Sequence, residues 1–405
     1  MTNLPQGWEV KTLSEIGEII TGSTPSKSNV EFYGKDYPFF KPSDFEQGYF
    51  LENAGDNLSK LGFGKARQLP PKTILVVCIG SLGKVALTRV IGSCNQQINA
   101  IIPHKNIISE YIYYYCISSK FQSILFSKAP QTTLAIFNKT EFSKLEIIYP
   151  KDIKKQERIV GILDESFAKI DESIKILEQD LLNLDELMQS ALQKAFNPLK
   201  DNVKENYKLP QGWEWKSLGE IGEIITGTTP SKNNPNFYGN EYPLFKPSDL
   251  NGDIIIKYAS DNLSKLGFDN ARNLPKDTIL VVCIGASIGK VGLSGVNGSC
   301  NQQINAIIPN SAFTSKYLFF VCLSNYFQTI LKKNASQTTL PIINKTEFSK
   351  LQIPLPPLKE QEQIASHLDE LSSHVKNLKQ NYQAQIKNLQ ELKNSLLDKA
   401  FKGNL

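Results

Sequence analysis

The sequence predicts an α+β protein made of two similar α/β domains, each followed by one long coiled-coil helix, with pseudo-two-fold symmetry between the copies. Three observations predict it. The 405-residue chain is written twice, each copy changes composition part-way along, and the second part of each copy carries apolar residues at heptad spacing.

The duplication comes first. Leu4-Pro5-Gln6-Gly7-Trp8-Glu9 returns as Leu209-Pro210-Gln211-Gly212-Trp213-Glu214, and Glu15–Gly22 returns as Glu220–Gly227. Lys41-Pro42-Ser43-Asp44 matches Lys246-Pro247-Ser248-Asp249, and Asp56–Phe63 matches Asp261–Phe268. Cys94–Pro103 matches Cys300–Pro309, and the match ends at Ala195-Phe196 and Ala400-Phe401. Solenoid repeats have periods of roughly 20–50 residues, so a period of about 200 is the duplication of a folded domain. Two copies of one fold pack by preference with a pseudo-dyad, as identical subunits do.

In each copy the first part, Leu4 to about Pro150 in copy one, holds most of the Gly, Pro and aromatic residues. Short β-branched runs such as Thr73–Cys78 and Ile98–Ile102, punctuated by Gly and Pro, read as strands and turns. Ser109 to about Ser127 reads as one helix from the spacing of Tyr, Ile, Phe and Leu. The second part, from Ile153 to Phe196, has almost no Gly or Pro. Ile170, Ile174, Leu177, Leu181, Leu184, Met188 and Ala191 alternate steps of four and three, the rhythm of a coiled-coil seam. The second copy gives Leu368, Leu371, Val375, Leu378, Tyr382, Gln385, Leu389, Leu392 and Leu396. A helix of about 43 residues is roughly 60 Å long and must bury its stripe, most simply against the other copy. Surface left over would accept a helix of another protein. The expected boundaries are 1–152 and 201–356 for the domains, and 153–200 and 357–405 for the helices.

Composition excludes several classes. Hydrophobic residues make up 40% and charged residues 21%, as in globular proteins. Apolar runs such as Ile74–Ile79 are far short of a membrane span, and the first residues carry no secretory signal pattern. The net charge of +5 permits an anionic partner without demonstrating one. The six Cys are three repeated positions, Cys78, Cys94 and Cys116 and then Cys283, Cys300 and Cys322, none in a C-x-x-C pair. They read as buried reduced thiols of a cytoplasmic protein rather than metal ligands or nucleophiles.

No catalytic or metal site is expected. Gly80-Ser81-Leu82-Gly83-Lys84 and Gly285-Ala286-Ser287-Ile288-Gly289-Lys290 lack the spacing and the Ser or Thr of a nucleotide-binding loop. Each is either a plain turn or a turn offering backbone N–H groups and one ammonium to a nucleic-acid phosphate. Asn197-Pro198 is only a fragment of an amino-methyltransferase motif. What repeats instead is a set of polar loop residues suited to DNA. In copy one these are Thr24, Ser26, Lys27, Lys41, Lys84, Gln96, Gln97, Gln131, Thr132 and Thr133. In copy two they are Thr229, Ser231, Lys232, Lys246, Lys290, Gln302, Gln303, Gln337, Thr338 and Thr339. Gln and Asn bond adenine bidentately, and Ser, Thr and Lys contact phosphate and base edges. The same residue types also build turns and caps.

This arrangement resembles the specificity subunit of type I restriction–modification systems over essentially the full length. The marks are the Leu-Pro-x-Gly-Trp-Glu starts at Leu4 and Leu209, followed by Leu13–Gly22 and Leu218–Gly227, the entry Pro354–Ile364 into the second helix, and the ending Leu397–Gly403. Tyr149–Glu157 departs from the usual proline-rich entry, and Asn197-Pro198 stands where Lys-Gly is usual. The resemblance implies two target-recognition domains, each reading half of a split double-stranded DNA site, held apart by two antiparallel helices. It implies no catalysis or cofactor of the chain's own. Two modification subunits that carry S-adenosylmethionine would dock on the helices, and motor-nuclease restriction subunits would join them, with no membrane association. Because the two domains are near copies, the expected target is an interrupted palindrome. A stand-alone two-headed DNA-binding scaffold or regulator is the alternative.

Overall fold

The computed structural model describes residues 4–128, 136–196, 209–252, 254–311, 313–336 and 340–405. The chain forms two compact units, Met1–Leu177 with Gln383–Leu405, and Glu178–Tyr382.

In the first unit a five-stranded sheet has the spatial order Gly17–Thr21, Ile98–Pro103, Ile74–Val77, Val85–Thr88, Phe50–Leu51. A four-stranded sheet has the order Asp56–Leu58, Tyr33–Phe40, Gly92–Cys94, Gln68–Leu69. Trp8–Thr12 pairs antiparallel with Glu146–Pro150. The unbroken apolar run Ile74–Val77 is explained by burial on both faces. Ile74 and Val76 enter a core with Tyr111, Tyr115 and Phe121, and Leu75 and Val77 enter another with Phe40, Leu51 and Cys94.

The second unit repeats this order with Gly222–Thr226, Ile304–Pro309, Ile279–Val282, Val291–Ser294 and Ile255–Ile256. Ile279 and Val281 again face one core, Leu280 and Val282 the other. Its second sheet has three strands, Asp261–Leu263, Tyr238–Phe245 and Ser299–Cys300. An isolated bridge between Leu274 and Gly298 stands where the first unit has its fourth strand.

The segment expected as one helix from Ser109 is two, Ser109–Ile117 and Ser119–Lys128. Ser118 is extended (φ −65°, ψ 149°), and its Oγ donates to the Tyr115 carbonyl at 2.6 Å. The Gln122 side-chain amide donates to the Cys116 carbonyl at 2.7 Å. These local bonds replace the helical ladder at the break. Ser324 breaks the second copy between Ser315–Leu323 and Asn325–Asn334 in the same way.

The long helices are Ile153–Ala195 and Leu358–Phe401. Within the first unit, Ile159, Val160 and Leu163 share a core with Leu397, Ala400 and Phe401, while Asp171 pairs with Lys393 further along. The two segments are therefore antiparallel. Within the second unit, Leu192 and Phe196 share a core with Ala365 and Leu368, and Asp185 pairs with Lys379, again antiparallel. Each Ala-Phe pair thus fills the core of a domain that it does not follow directly in sequence. Phe401 lies edge-on to Tyr111 and Tyr115 at 5.4 and 5.1 Å, and Phe196 edge-on to Tyr317 at 5.7 Å.

The apolar stripe of the first helix is buried or half-buried at every expected position. On the second helix Leu368 and Val375 are buried, but Leu378 and Leu392 stay 41% and 45% exposed, and Gln385 is exposed. A helix pair covers one flank of a stripe and leaves the other to solvent. Ile176, Leu182 and Leu187 are exposed as well. Among the described residues no helix is long and apolar enough to cross a membrane.

One fully buried glutamine anchors each helix to its own domain. Gln156 takes the Ile108 N–H at 3.0 Å and donates to the carbonyls of Pro150 (2.9 Å) and Asn106 (3.4 Å). Gln361 takes the Thr314 N–H at 3.2 Å and donates to the Pro356 carbonyl at 2.9 Å. Buried amides are stable only when satisfied in this way.

Candidate nucleic-acid interface

Those of the polar residues singled out by the repeat that are described converge at one set of strand ends in each domain. After Thr21 the chain turns so tightly that Gly22 N–H donates to Ile98 O and Ser23 N–H to Cys94 O, both at 2.9 Å. A Cβ on Gly22 would lie 2.1 Å from Asn95 O, and one on Gly227 would lie 2.2 Å from Cys300 O. Only glycine fits this approach, which brings the Thr-Pro-Ser-Lys loop onto the Asn-Gln-Gln turn.

There Thr24 Oγ1 donates to Gln96 Oε1 at 2.5 Å, and Thr229 Oγ1 to Gln302 Oε1 at 2.8 Å. All four side chains are exposed, as are Ser26, Lys27, Ser231 and Lys232. Tyr33 and Tyr238 hold the loop from beneath, donating to Pro25 O at 2.7 Å and Pro230 O at 2.6 Å. Gln97 and Gln303 are only half-buried and are engaged in the turn. Each accepts from the Asn95 or Asn301 amide, at 2.8 and 2.9 Å. Gln97 also donates to Ile79 O at 3.4 Å.

Lys41 and Lys246 form ion pairs with Asp56 and Asp261. The Lys246 ammonium bonded to Asp261 holds that carboxyl below its ordinary value. Asp44 and Asp249 are structural. Asp44 takes the N–H groups of Lys41 (2.7 Å) and Gly55 (3.0 Å), and Asp249 those of Lys246 (2.8 Å) and Ser260 (3.0 Å). Each thereby ties the Lys-Pro-Ser-Asp turn to the strand carrying the partner aspartate.

Lys84 Nζ lies 3.6 Å from Glu46, and Lys290 Nζ donates to Pro247 O at 3.3 Å. Gln131, Thr132, Thr133, Gln337, Thr338 and Thr339 lie outside the described residues. Downstream of them, Ile136 bridges Ile79 and Ile342 bridges Ile284, beside the Gly-Lys turns.

Two cations at this surface were not among the expected residues. Exposed Arg67 donates from Nη1 to Thr21 O at 2.6 Å, and its backbone N–H donates to Ser23 Oγ at 3.2 Å. Arg272 does the same with Thr226 O at 2.7 Å and Thr228 Oγ1 at 3.2 Å. Their signal was in the duplication, as Ala66-Arg67-Gln68-Leu69-Pro70 against Ala271-Arg272-Asn273-Leu274-Pro275. Gln122 and Gln328 were also missed. Each donates to the glycine carbonyl of a Gly-Lys turn, Gly83 at 2.9 Å and Gly289 at 2.8 Å. The six thiols are buried. Burial pushes Cys78, Cys94, Cys283 and Cys300 up to about 12 and Cys116 and Cys322 still higher, far from thiolate character.

The arrangement has counterparts among known proteins. The family model described as "Type I restriction modification DNA specificity domain" matches residues 5–181 and 210–388. The MjaIX specificity subunit of Methanocaldococcus jannaschii is 25% identical over 99% of this chain and 94% of its own length. The HindI specificity subunit of Haemophilus influenzae is 39% identical over 44% of this chain, and that match spans 40% of the HindI subunit. Two solved structures share the fold. A chain from work on assembly and conformational transition of the type I R-M system superimposes with a TM-score of 0.81 at 20% identity, covering all of both chains. The HsdS subunit of Thermoanaerobacter tengcongensis gives 0.59 at 21% identity, covering 99% of this chain and 98% of that one. With two matched domains in tandem, the chain belongs to the family of type I restriction–modification specificity subunits.

Proposed function

We propose that this chain is the non-catalytic reader of a type I complex, each domain reading one half of a split DNA site. One observation carries the reading. The same polar set stands at the same strand ends in both domains: exposed Thr24 with Gln96 and exposed Arg67 on Thr21 beside the half-buried pair Lys41–Asp56, against exposed Thr229 with Gln302 and exposed Arg272 on Thr226 beside the half-buried pair Lys246–Asp261. Lys and Arg fix register on phosphates, while Gln and Thr read base edges, each good bidentate pair being worth about 1–3 kcal/mol of discrimination.

Near-identical sets read near-identical half-sequences, so the target is a palindrome interrupted by an unread spacer. The half-exposed apolar residues of the helices, Ile176, Leu182 and Leu187 with Leu378 and Leu392, fit docking of two modification subunits. In this reading those subunits bind S-adenosylmethionine and methylate adenine, and restriction subunits join them. Adenine-methylation sequencing of cells carrying the chain with its modification partner tests the proposal. The expected result is an interrupted palindrome methylated on both strands. Unrelated half-sites refute the palindrome. Methylation unchanged on loss of the chain refutes the reader role.

A further inference from the structure

The two Gly-Lys turns have the same foundation and different electrostatics. In the first domain the Lys84 carbonyl takes the Val77 N–H at 2.9 Å, and the Gly83 N–H donates to Val77 O at 2.9 Å. In the second the Lys290 carbonyl takes the Val282 N–H at 2.9 Å, and the Gly289 N–H donates to Val282 O at 2.9 Å. Gln122 and Gln328 hold the two glycine carbonyls at 2.9 and 2.8 Å. Both glycines have left-handed backbones, φ 89° and 94°, and added Cβ atoms would strike the Gln oxygens at 2.4 and 2.2 Å. The extra residue of the second turn is taken up before this base. Each turn therefore presents one lysine from a backbone held at the same points.

The neighbours of the two ammonium groups differ. Lys84 faces the Glu46 carboxylate at 3.6 Å. Glu46 is followed by Glu52, which pairs with Arg89 at 2.9 Å, while the Arg89 guanidinium stacks over Phe50 at 3.7 Å. In the second copy Asn251 stands for Glu46, Lys257 for Glu52 and Gly295 for Arg89. Among the described residues the Lys290 ammonium has no carboxylate within ion-pair distance, and it donates to the Pro247 carbonyl at 3.3 Å.

We infer that the two DNA-reading domains are electrostatically unequal: Lys290 is a full-strength phosphate contact of the second domain, and Glu46 holds its counterpart Lys84 in check. A duplex phosphate that meets Lys84 meets the Glu46 carboxylate beside it, whereas among the described residues one that meets Lys290 displaces a neutral bond to the Pro247 carbonyl. The inference rests on the DNA-reading role proposed above.

The test uses the full-length chain and a fluorescent 30-bp duplex of mixed sequence, because phosphate contacts are independent of sequence. Anisotropy titrations across a salt series compare wild type with K84A, K290A, E46Q and N251E. Lys290→Ala is expected to weaken binding about threefold or more and to make the salt slope shallower by about 0.9. Lys84→Ala is expected to change affinity less than twofold. Exposed ion pairs are weak, so Glu46→Gln should tighten binding about two- to fivefold, a gain that K84A removes. Asn251→Glu should weaken binding by a similar factor. Circular dichroism confirms folding of each variant. Equal losses for K84A and K290A, or no gain for E46Q, overturn the inference while leaving the DNA-reading role standing. A wild-type chain that fails to bind duplex overturns both.

Discussion

Truncating Phe401 to alanine tests whether the end of the second long helix belongs to the core of the first unit. Phe401 is 6% exposed and meets Tyr111 and Tyr115 edge-on at 5.4 and 5.1 Å. It packs in one cluster with Ile159, Val160 and Leu163. Removing a buried Phe side chain costs about 3–5 kcal/mol, the lost transfer energy plus the cavity left behind. At about 1.4 kcal/mol per factor of ten, that is roughly two to three and a half powers of ten in the opening equilibrium of the first unit. Hydrogen-exchange mass spectrometry of the full chain reads it by segment. Ser109–Ile117 should exchange faster by that factor in F401A, with Ser315–Leu323 of the second unit unchanged. Phe196→Ala, facing Tyr317, should give the opposite pattern. Less than a threefold change in Ser109–Ile117, or equal loosening of both segments, would refute the assignment of Phe401 to that core.

Three further outcomes follow from the same packing. Gln156→Leu orphans the Ile108 N–H and the carbonyls of Pro150 and Asn106, at about 1–3 kcal/mol for each group that water cannot reach. The urea midpoint should fall with the slope unchanged, and a variant as stable as wild type would contradict the anchoring role. Asp261 has its carboxyl held below the ordinary 3.8 by Lys246. A depressed folded value stabilises the fold above the ordinary one, and that stability disappears as pH falls through the depressed value. The stability gap between wild type and Asp261→Asn should therefore be full at pH 6 and close below about 3.8. A gap independent of pH would refute it. The six buried thiols should resist a disulfide-exchange reagent at pH 8 in the native chain and all react in denaturant. A fast-reacting thiol in the folded protein would contradict their burial.

The duplicated order of motifs determined that one strand order is built twice, because the same alternation of buried side chains and Gly-Pro turns recurs in each copy. It also determined the unbroken strand Ile74–Val77 and the stripe of each long helix. These are properties of local spacing, which sequence carries directly. The break at Ser118 was not legible, because the helical spacing of apolar residues continues across it while the break depends on bonds from Ser118 and Gln122.

At the candidate interface, residue types and their pairing across copies were readable, and their roles were not. Thr24 meets Gln96 only because a glycine lets two loops close on each other at the strand ends, and Lys41 meets Asp56 because Phe39 pairs with Asp56 across two strands. The same closure sorts the set. Asp44 and Asn95 are committed to turns, while Gln96 and Arg67 keep exposed faces. Heptad spacing named the stripe but not how much of it a partner helix would cover, so Leu378 and Leu392 remain half-open. The Ala-Phe pairs were visible only as the end of a repeat. The tertiary structure alone decided that each fills the core of the domain it does not directly follow. That contact links residues far apart in the chain, and apolar burial, being non-directional, leaves no local spacing to record it.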